Sequence, residues 1–283
     1  MHMDFKADFL EFVQVELKTL GVSPPDDDPT KCGLLLFKLQ RRCPVARPRR
    51  TELSIGFTVP PDLKSGFEGL VAAIGRGDSL MPYLSRSTFK ARRKDQLLDD
   101  WGILHFHLGT KMLPSGLIEG TEIVAFGIVT SDCVYFIDVH GHGHGTDPYV
   151  WVREELIHTI DDNWPQLLPT NHSHLTPDKL TSEQRANCRK KSVNVTITKS
   201  SGEVIFPPGG GVMLDGTAIA DFMQLQKIYS QLEYGRKICT LNETGIRDAL
   251  GISDQDFRMR MGFDNRQLFF YEHSSGTQVE FIS

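Results

Sequence analysis

The chain has 283 residues with a formal net charge of −5, 40% hydrophobic and 24% charged residues; that is enough length for a sizeable core, and the balance excludes a disordered chain or a wholesale polyanion binder. The longest apolar runs, such as Gly33-Leu34-Leu35-Leu36-Phe37, fall far short of the ~20 residues that span a bilayer, so no membrane partner is expected. Five cysteines without a C-x-x-C pair, and no secretory signal at the acidic start, are read as reduced thiols in a cytoplasmic protein.

Met1-His2-Met3 reads as a cloning remnant, and His2 is set aside. Apolar residues at 9, 10, 13 and 17 have helical spacing, ended at Gly21. Strands are expected at Gly33 to Leu39 and at Glu52 to Val59. Between them Arg41, Arg42, Arg47, Arg49 and Arg50, broken by Pro44 and Pro48, form an exposed basic loop that either is solvated or contacts phosphate. Phe67 to Ile74 reads as a helix, and a second basic cluster, Arg86, Lys90, Arg92, Arg93 and Lys94, precedes Asp99-Asp100-Trp101-Gly102.

The middle of the chain carries the clearest pattern. Ile103 to Leu108, Glu122 to Val129 and Cys133 to His140 are strand-like, and the polar Thr130-Ser131-Asp132 makes the last two a hairpin. Alternation puts His105 and His107 on one face of their strand, opposite Leu104, Phe106 and Leu108. On the last strand it groups Val134, Phe136, Asp138 and His140 on one face, and Tyr135, Ile137 and Val139 on the other. If the Asp138/His140 face is the His105/His107 face, four ionisable groups cluster.

Trp151 to Ile160 is expected to be helical, with His158 on its surface, and residues 166 to 182 are polar and turn-rich. Val193 to Thr198 and Glu203 to Phe206 form a hairpin, and a long helix runs from Ala218 to about Tyr234. Pro207-Pro208-Gly209-Gly210-Gly211 lacks the lysine of a Walker loop and is read as structural. Phe257 to Phe263 and Gln267 to Glu272 close the chain as a hairpin. The expected fold is α+β, with antiparallel sheets and packed helices. Its expected parts are a domain over 1–168 bearing the histidine sheet, a linker over 169–190 and a smaller α+β domain over 191–283.

The histidines carry the functional expectation, because imidazole titrates near neutral pH and ligates metals. The leading reading is a phosphodiester hydrolase of the ribonuclease or toxin-like nuclease type. His105 and His107 serve as acid and base, Asp138 orients, His140 assists, and Arg92 and Arg93 contact an RNA phosphate or another phosphate-containing ligand. Antiparallel strands with basic and histidine residues on one face resemble the compact toxin ribonucleases of the RelE kind, which implies RNA cleavage. The alternative is a metal enzyme in which His105, His107 and His140 bind zinc, iron or manganese. Its H-x-H resembles the cupin pattern, although the glutamate a cupin places shortly after the pair has only Glu119, twelve residues beyond His107, as a counterpart. A third reading is a non-catalytic interaction module of a bacterial stress or defence complex, with a protein partner or a second copy. Asp99 to Gly109 resembles a phrase found in uncharacterised bacterial proteins and implies no activity. His142 and His144 are ranked lower, because flanking glycines leave their directions unspecified. His172 and His174 are read as lying in a solvated loop.

Overall fold

The computed structural model describes residues 1–86, 88, 90, 95–143, 147–169, 180–199, 201–252, 257–264 and 267–279. Its elements run α1 (Phe5–Thr19), α2 (Pro29–Arg42), β1 (Arg50–Leu53), α3 (Lys64–Arg76), α4 (Gln96–Trp101), β2 (Ile103–His107), β3 (Ile123–Val129) and β4 (Cys133–Gly141). They continue as α5 (Glu155–Asn163), α6 (Ser182–Lys190), β5 (Ile197–Thr198), β6 (Val204–Ile205), α7 (Ile219–Leu241), α8 (Glu243–Leu250), β7 (Met259–Asp264), β8 (Gln267–Glu272) and β9 (Gln278–Val279). The fold is α+β. Among the described residues, no helix is long and apolar enough to cross a membrane.

The chain forms two compact units, residues 1–38 with 221–283, and residues 39–220. This differs from the expected linear split, because the stripe on α1 finds its partners at the far end of the chain. Phe5 meets Phe270 at 4.7 Å and Phe12 meets Phe263 at 4.5 Å between ring centroids. Asp8 accepts the Met261 amide at 3.1 Å and lies 2.6 Å from Arg260 Nε. The expected linker also departs from expectation over 182–190, which is α6, a helix with a capping box at Thr181 and buried Arg185 and Arg189; residues 170–179, with His172 and His174, lie outside the described residues.

Two expected strands change. Residues 33–39 are the middle of α2, because the Asp28 carboxylate accepts the Thr30 and Lys31 amides at 2.7 and 3.3 Å and Pro29 opens the first turn. The straight-chain Leu, Lys and Gln side chains that follow favour a helix over a strand. The strand expected over 52–59 is shifted: β1 covers 50–53 and shares only Glu52 and Leu53 with it. The arginines of the basic loop are largely structural: Arg42 is buried and donates to the Thr88 and Lys90 carbonyls, Arg41 pairs with Asp99 at 2.8 Å, and Arg49 Nε donates to the Thr130 carbonyl. The glycine loop after β6 is structural as expected, since the Gly209 amide donates to the Asp100 carbonyl at 3.1 Å.

The larger unit is built on a four-stranded sheet of order β1-β4-β3-β2. β2, β3 and β4 form the expected antiparallel meander, and β1 adds to its edge in parallel with β4. One face packs Leu104, Phe106, Ala125, Val134 and Phe136 against Phe67, Leu70 and Ile74 of α3. The other packs Ile103, Val124, Phe126, Tyr135 and Ile137 against Leu156, Ile157 and Ile160 of α5. A single sheet covered by helices on both faces is not the double-sheet roll that a cupin pattern implies.

Candidate active site

A β-bulge decides which side chains meet. His105 stands opposite Phe126 and His107 opposite Val124; Phe126 stands opposite Asp138 and Val124 opposite His140. Gly127, however, stands opposite Phe136, so Ile137 has no partner on β3. The inserted residue reverses the alternation of β4 at this point. Asp138 and His140 therefore share a face with Tyr135 and Ile137, and not with Val134 and Phe136 as strict alternation suggests. That face is the one carrying His105 and His107. The bulge is supported locally: Ser54, buried just after β1, donates its hydroxyl to the Ile137 carbonyl at 2.6 Å and its amide to Phe136. Gly127 leaves room for it, because a β-carbon there would lie 2.9 Å from the Tyr135 carbonyl oxygen.

The four expected groups share a face but form two clusters. Asp138 and His140 lie beyond β3 from His105 and His107, with Phe126 and Val124 between, which puts the backbones of the two pairs about 10 Å apart at two strand spacings. His140 Nε2 lies 2.9 Å from Asp138 Oδ2. Burial works to raise the Asp138 carboxyl, yet His140, the Val139 amide and the charge of Arg153 together hold it below its ordinary range. Arg153 itself is ion-paired with Asp147.

The imidazoles that do converge are His105, His107 and His142. Ring centroids are 6.3 Å apart for His105 and His107, 5.2 Å for His105 and His142, and 4.8 Å for His107 and His142. Trp151 closes one side, with centroids 5.0 Å from His105, 5.7 Å from His142 and 6.0 Å from Phe126. His142 is placed by its amide, which donates to the Glu122 carbonyl at 2.6 Å. Gly143 follows with φ +96° and passes against the Trp151 indole.

His107 is only 8% exposed. Its Nδ1 accepts the Thr121 backbone N–H at 3.0 Å, so the neutral ring carries its proton on Nε2. Burial, followed by the neighbouring His142 and His105 and then Arg86, pushes its pKa down to about 4. His107 is thus a neutral hydrogen-bond donor at physiological pH, and Arg86, the first residue of the second basic cluster, projects its charge onto the site.

No family model, curated protein or solved structure matches the chain.

Of the expected site residues, the structure joins His105 with His107, joins Asp138 with His140, and separates the pairs by β3. Arg92 and Arg93, and His144, lie outside the described residues. The expected metal set of His105, His107 and His140 does not converge, because His107 and His140 flank Val124 in one cross-strand row while zinc needs its nitrogens within about 2.1 Å of one point. Among the described residues, no three His, Cys, Asp or Glu side chains are disposed to hold a metal ion. Glu119 instead accepts the Thr110 and Lys111 amides. His158 is half-buried rather than fully exposed; its Nε2 lies 2.9 Å from the Thr198 carbonyl oxygen. His142 was ranked too low by sequence reasoning, and Trp151 and Thr121 were missed.

Proposed function

We propose that this protein is a phosphodiester hydrolase acting on RNA by imidazole acid/base chemistry, in a cytoplasmic setting consistent with its five free cysteines. The observation that carries the reading is the convergence of His105, His107 and His142 within 4.8 to 6.3 Å beside Trp151, under the influence of Arg86. Two further imidazoles next to a neutral donor supply a base, an acid and a hydrogen bond for developing negative charge.

RNA suits such a site because it brings its own nucleophile. The 2′-hydroxyl oxygen attacks phosphorus, one imidazole takes its proton, the P–O5′ bond breaks, and a second imidazole protonates the leaving O5′. His105 and His142 are the proton-transfer residues of this scheme, His107 donates from Nε2, and the Asp138–His140 pair lies across Phe126 on the same sheet face. The recessed imidazoles favour a single strand over a duplex, whose phosphates cannot reach between half-buried rings.

The test is cleavage of end-labelled single-stranded RNA by the parent, His105→Gln and His142→Gln proteins, each shown folded by circular dichroism. The reading expects cleavage by the parent to 2′,3′-cyclic phosphate ends, and loss of about 10²- to 10⁴-fold in either variant. A parent that binds RNA without cleaving it points to the interaction module instead.

A further inference from the structure

Asp138 presents a carboxylate on the sheet face that carries the histidines, and its side chain is 40% exposed. Two contacts fix its orientation: Oδ1 accepts the Val139 amide at 2.8 Å, and Oδ2 lies 2.9 Å from His140 Nε2. The two oxygens of a carboxylate offer about four acceptor sites, so each keeps a lone pair for a further donor. Burial works against the charge of Asp138, yet His140, the Val139 amide and Arg153 outweigh it, and the group is ionised near neutral pH. Arg153 acts on it only by its field, since its guanidinium is ion-paired with Asp147.

An oriented, ionised carboxylate accepts hydrogen bonds and never donates them, and that restricts what it can bind. Among the four RNA bases, guanine alone sets two donors side by side on its Watson–Crick edge, N1–H and the N2 amino group. Adenine and cytosine each place a ring-nitrogen lone pair beside their amino group, and uracil places its one N–H between two carbonyls, so a carboxylate facing these edges meets a lone pair. The register puts Asp138 across Phe126 from His105, about 10 Å away at two strand spacings. A nucleotide whose phosphate lies among the imidazoles thus has the carboxylate on the side to which its base extends.

We propose that Asp138 sets the base specificity of the site by accepting N1–H and N2–H of a guanine next to the scissile phosphate, one on each oxygen. The proposal rests on the RNA-hydrolase reading for the bond that is cut. Recognition of the base needs no cleavage and is measured separately.

The experiment maps the cut sites made by the full chain and by its Asp138→Asn variant, both shown folded by circular dichroism, on single-stranded RNA containing every dinucleotide step. A bidentate base contact discriminates by about 10- to 100-fold, and the parent is expected to cut beside guanine faster than beside adenine by that factor. Asp138→Asn keeps the shape but turns one acceptor into a donor, so the guanine-to-adenine ratio of kcat/KM is expected to fall at least tenfold. In parallel, calorimetry with guanosine 3′-monophosphate and adenosine 3′-monophosphate reads recognition alone; the parent is expected to bind the guanosine nucleotide at least tenfold more tightly, and the variant to lose that difference.

Cutting indifferent to the base, a preference for another base, or a variant that is slower beside every base with its ratio unchanged overturns the proposal and leaves the hydrolase reading standing. RNA left intact by the parent overturns the hydrolase reading, and calorimetry then decides the guanine site by itself. A guanosine preference that Asp138→Asn lacks upholds the site, whereas equal binding of the two nucleotides by the parent, or a preference that survives in the variant, overturns it.

Discussion

Gly143 crosses the indole of Trp151 so closely that a β-carbon on it would lie 2.7 Å from Nε1. Its φ of +96° is one that side chains rarely adopt. The glycine thus lets the chain fold His142 back over His105 and His107 with Trp151 as a wall. Gly143→Ala is expected to cost about 1 to 3 kcal/mol in stability from strain, measured by denaturant unfolding, and to reduce RNA cleavage at least tenfold because His142 is displaced. Unchanged cleavage in a folded Gly143→Ala protein removes His142 from the mechanism.

Ser54 is expected to hold the bulge that unites the histidine face. Ser54→Ala leaves the Ile137 carbonyl without the hydroxyl that now reaches it at 2.6 Å, a cost of about 1 to 3 kcal/mol. A shift in urea midpoint with unchanged slope measures it. Slower hydrogen exchange at β4 in the variant runs against the idea.

His107 makes stability depend on acid. Its folded pKa of about 4 is depressed from 6.5, so it is neutral in the fold while the unfolded imidazole takes a proton below pH 6.5. The unfolded state then binds more protons, and stability falls as pH drops from 6.5 toward 4, by about 3 kcal/mol at 1.36 kcal/mol per pKa unit. Chemical denaturation from pH 7.5 to 4 on the parent and on His107→Gln measures this component, which the variant should lack.

The Asp100–Arg189 pair is buried on both sides. Burial raises the Asp100 carboxyl even though Arg189 opposes it. Arg189→Ala is expected to destabilise by about 3 to 5 kcal/mol, since it strands a buried carboxylate, and the double change Asp100→Leu/Arg189→Met by much less. Thermal melts of the single and double variants compare them; equal losses count against a pairing role.

Gly66 packs on the end of β2, where a β-carbon would lie 1.8 Å from the Leu108 carbonyl oxygen. Gly66→Ala therefore has to push α3 off the strand that ends at His107. A loss of more than 2 kcal/mol is expected, on the scale of an overpacked core, with the melting temperature as readout.

Several features were legible because their physics is local. The alternation of Leu104, Phe106 and Leu108 against His105 and His107 placed β2 and its polar face, and Thr130-Ser131-Asp132 placed the hairpin of β3 and β4. The helical stripe at 9, 13 and 17 placed α1, and the apolar run from Phe67 to Ile74 placed α3, which Gly77 closes with φ +80°. The run at 33–39 misled because a short apolar stretch fits either period, and the deciding cap at Asp28 lay upstream. Gly127 within Val124-Ala125-Phe126-Gly127-Ile128-Val129 was the one sequence signal that could have revealed the bulge, since glycine inside a strand pattern marks one.

Sequence alone therefore determined the α+β class, the three-stranded meander and the polar face carrying His105 and His107, all properties of neighbouring residues and their period. Tertiary structure decided the rest. It brought His142 to the cluster through a glycine pressed on Trp151 and turned Asp138 and His140 to the same face through one unpaired residue. It also set the His107 tautomer through a backbone amide fourteen residues away and drew Arg41, Arg42 and Arg49 into the framework. Each depends on register, burial or a partner distant in sequence, and a strand's period of two cannot specify where a single inserted residue reverses it.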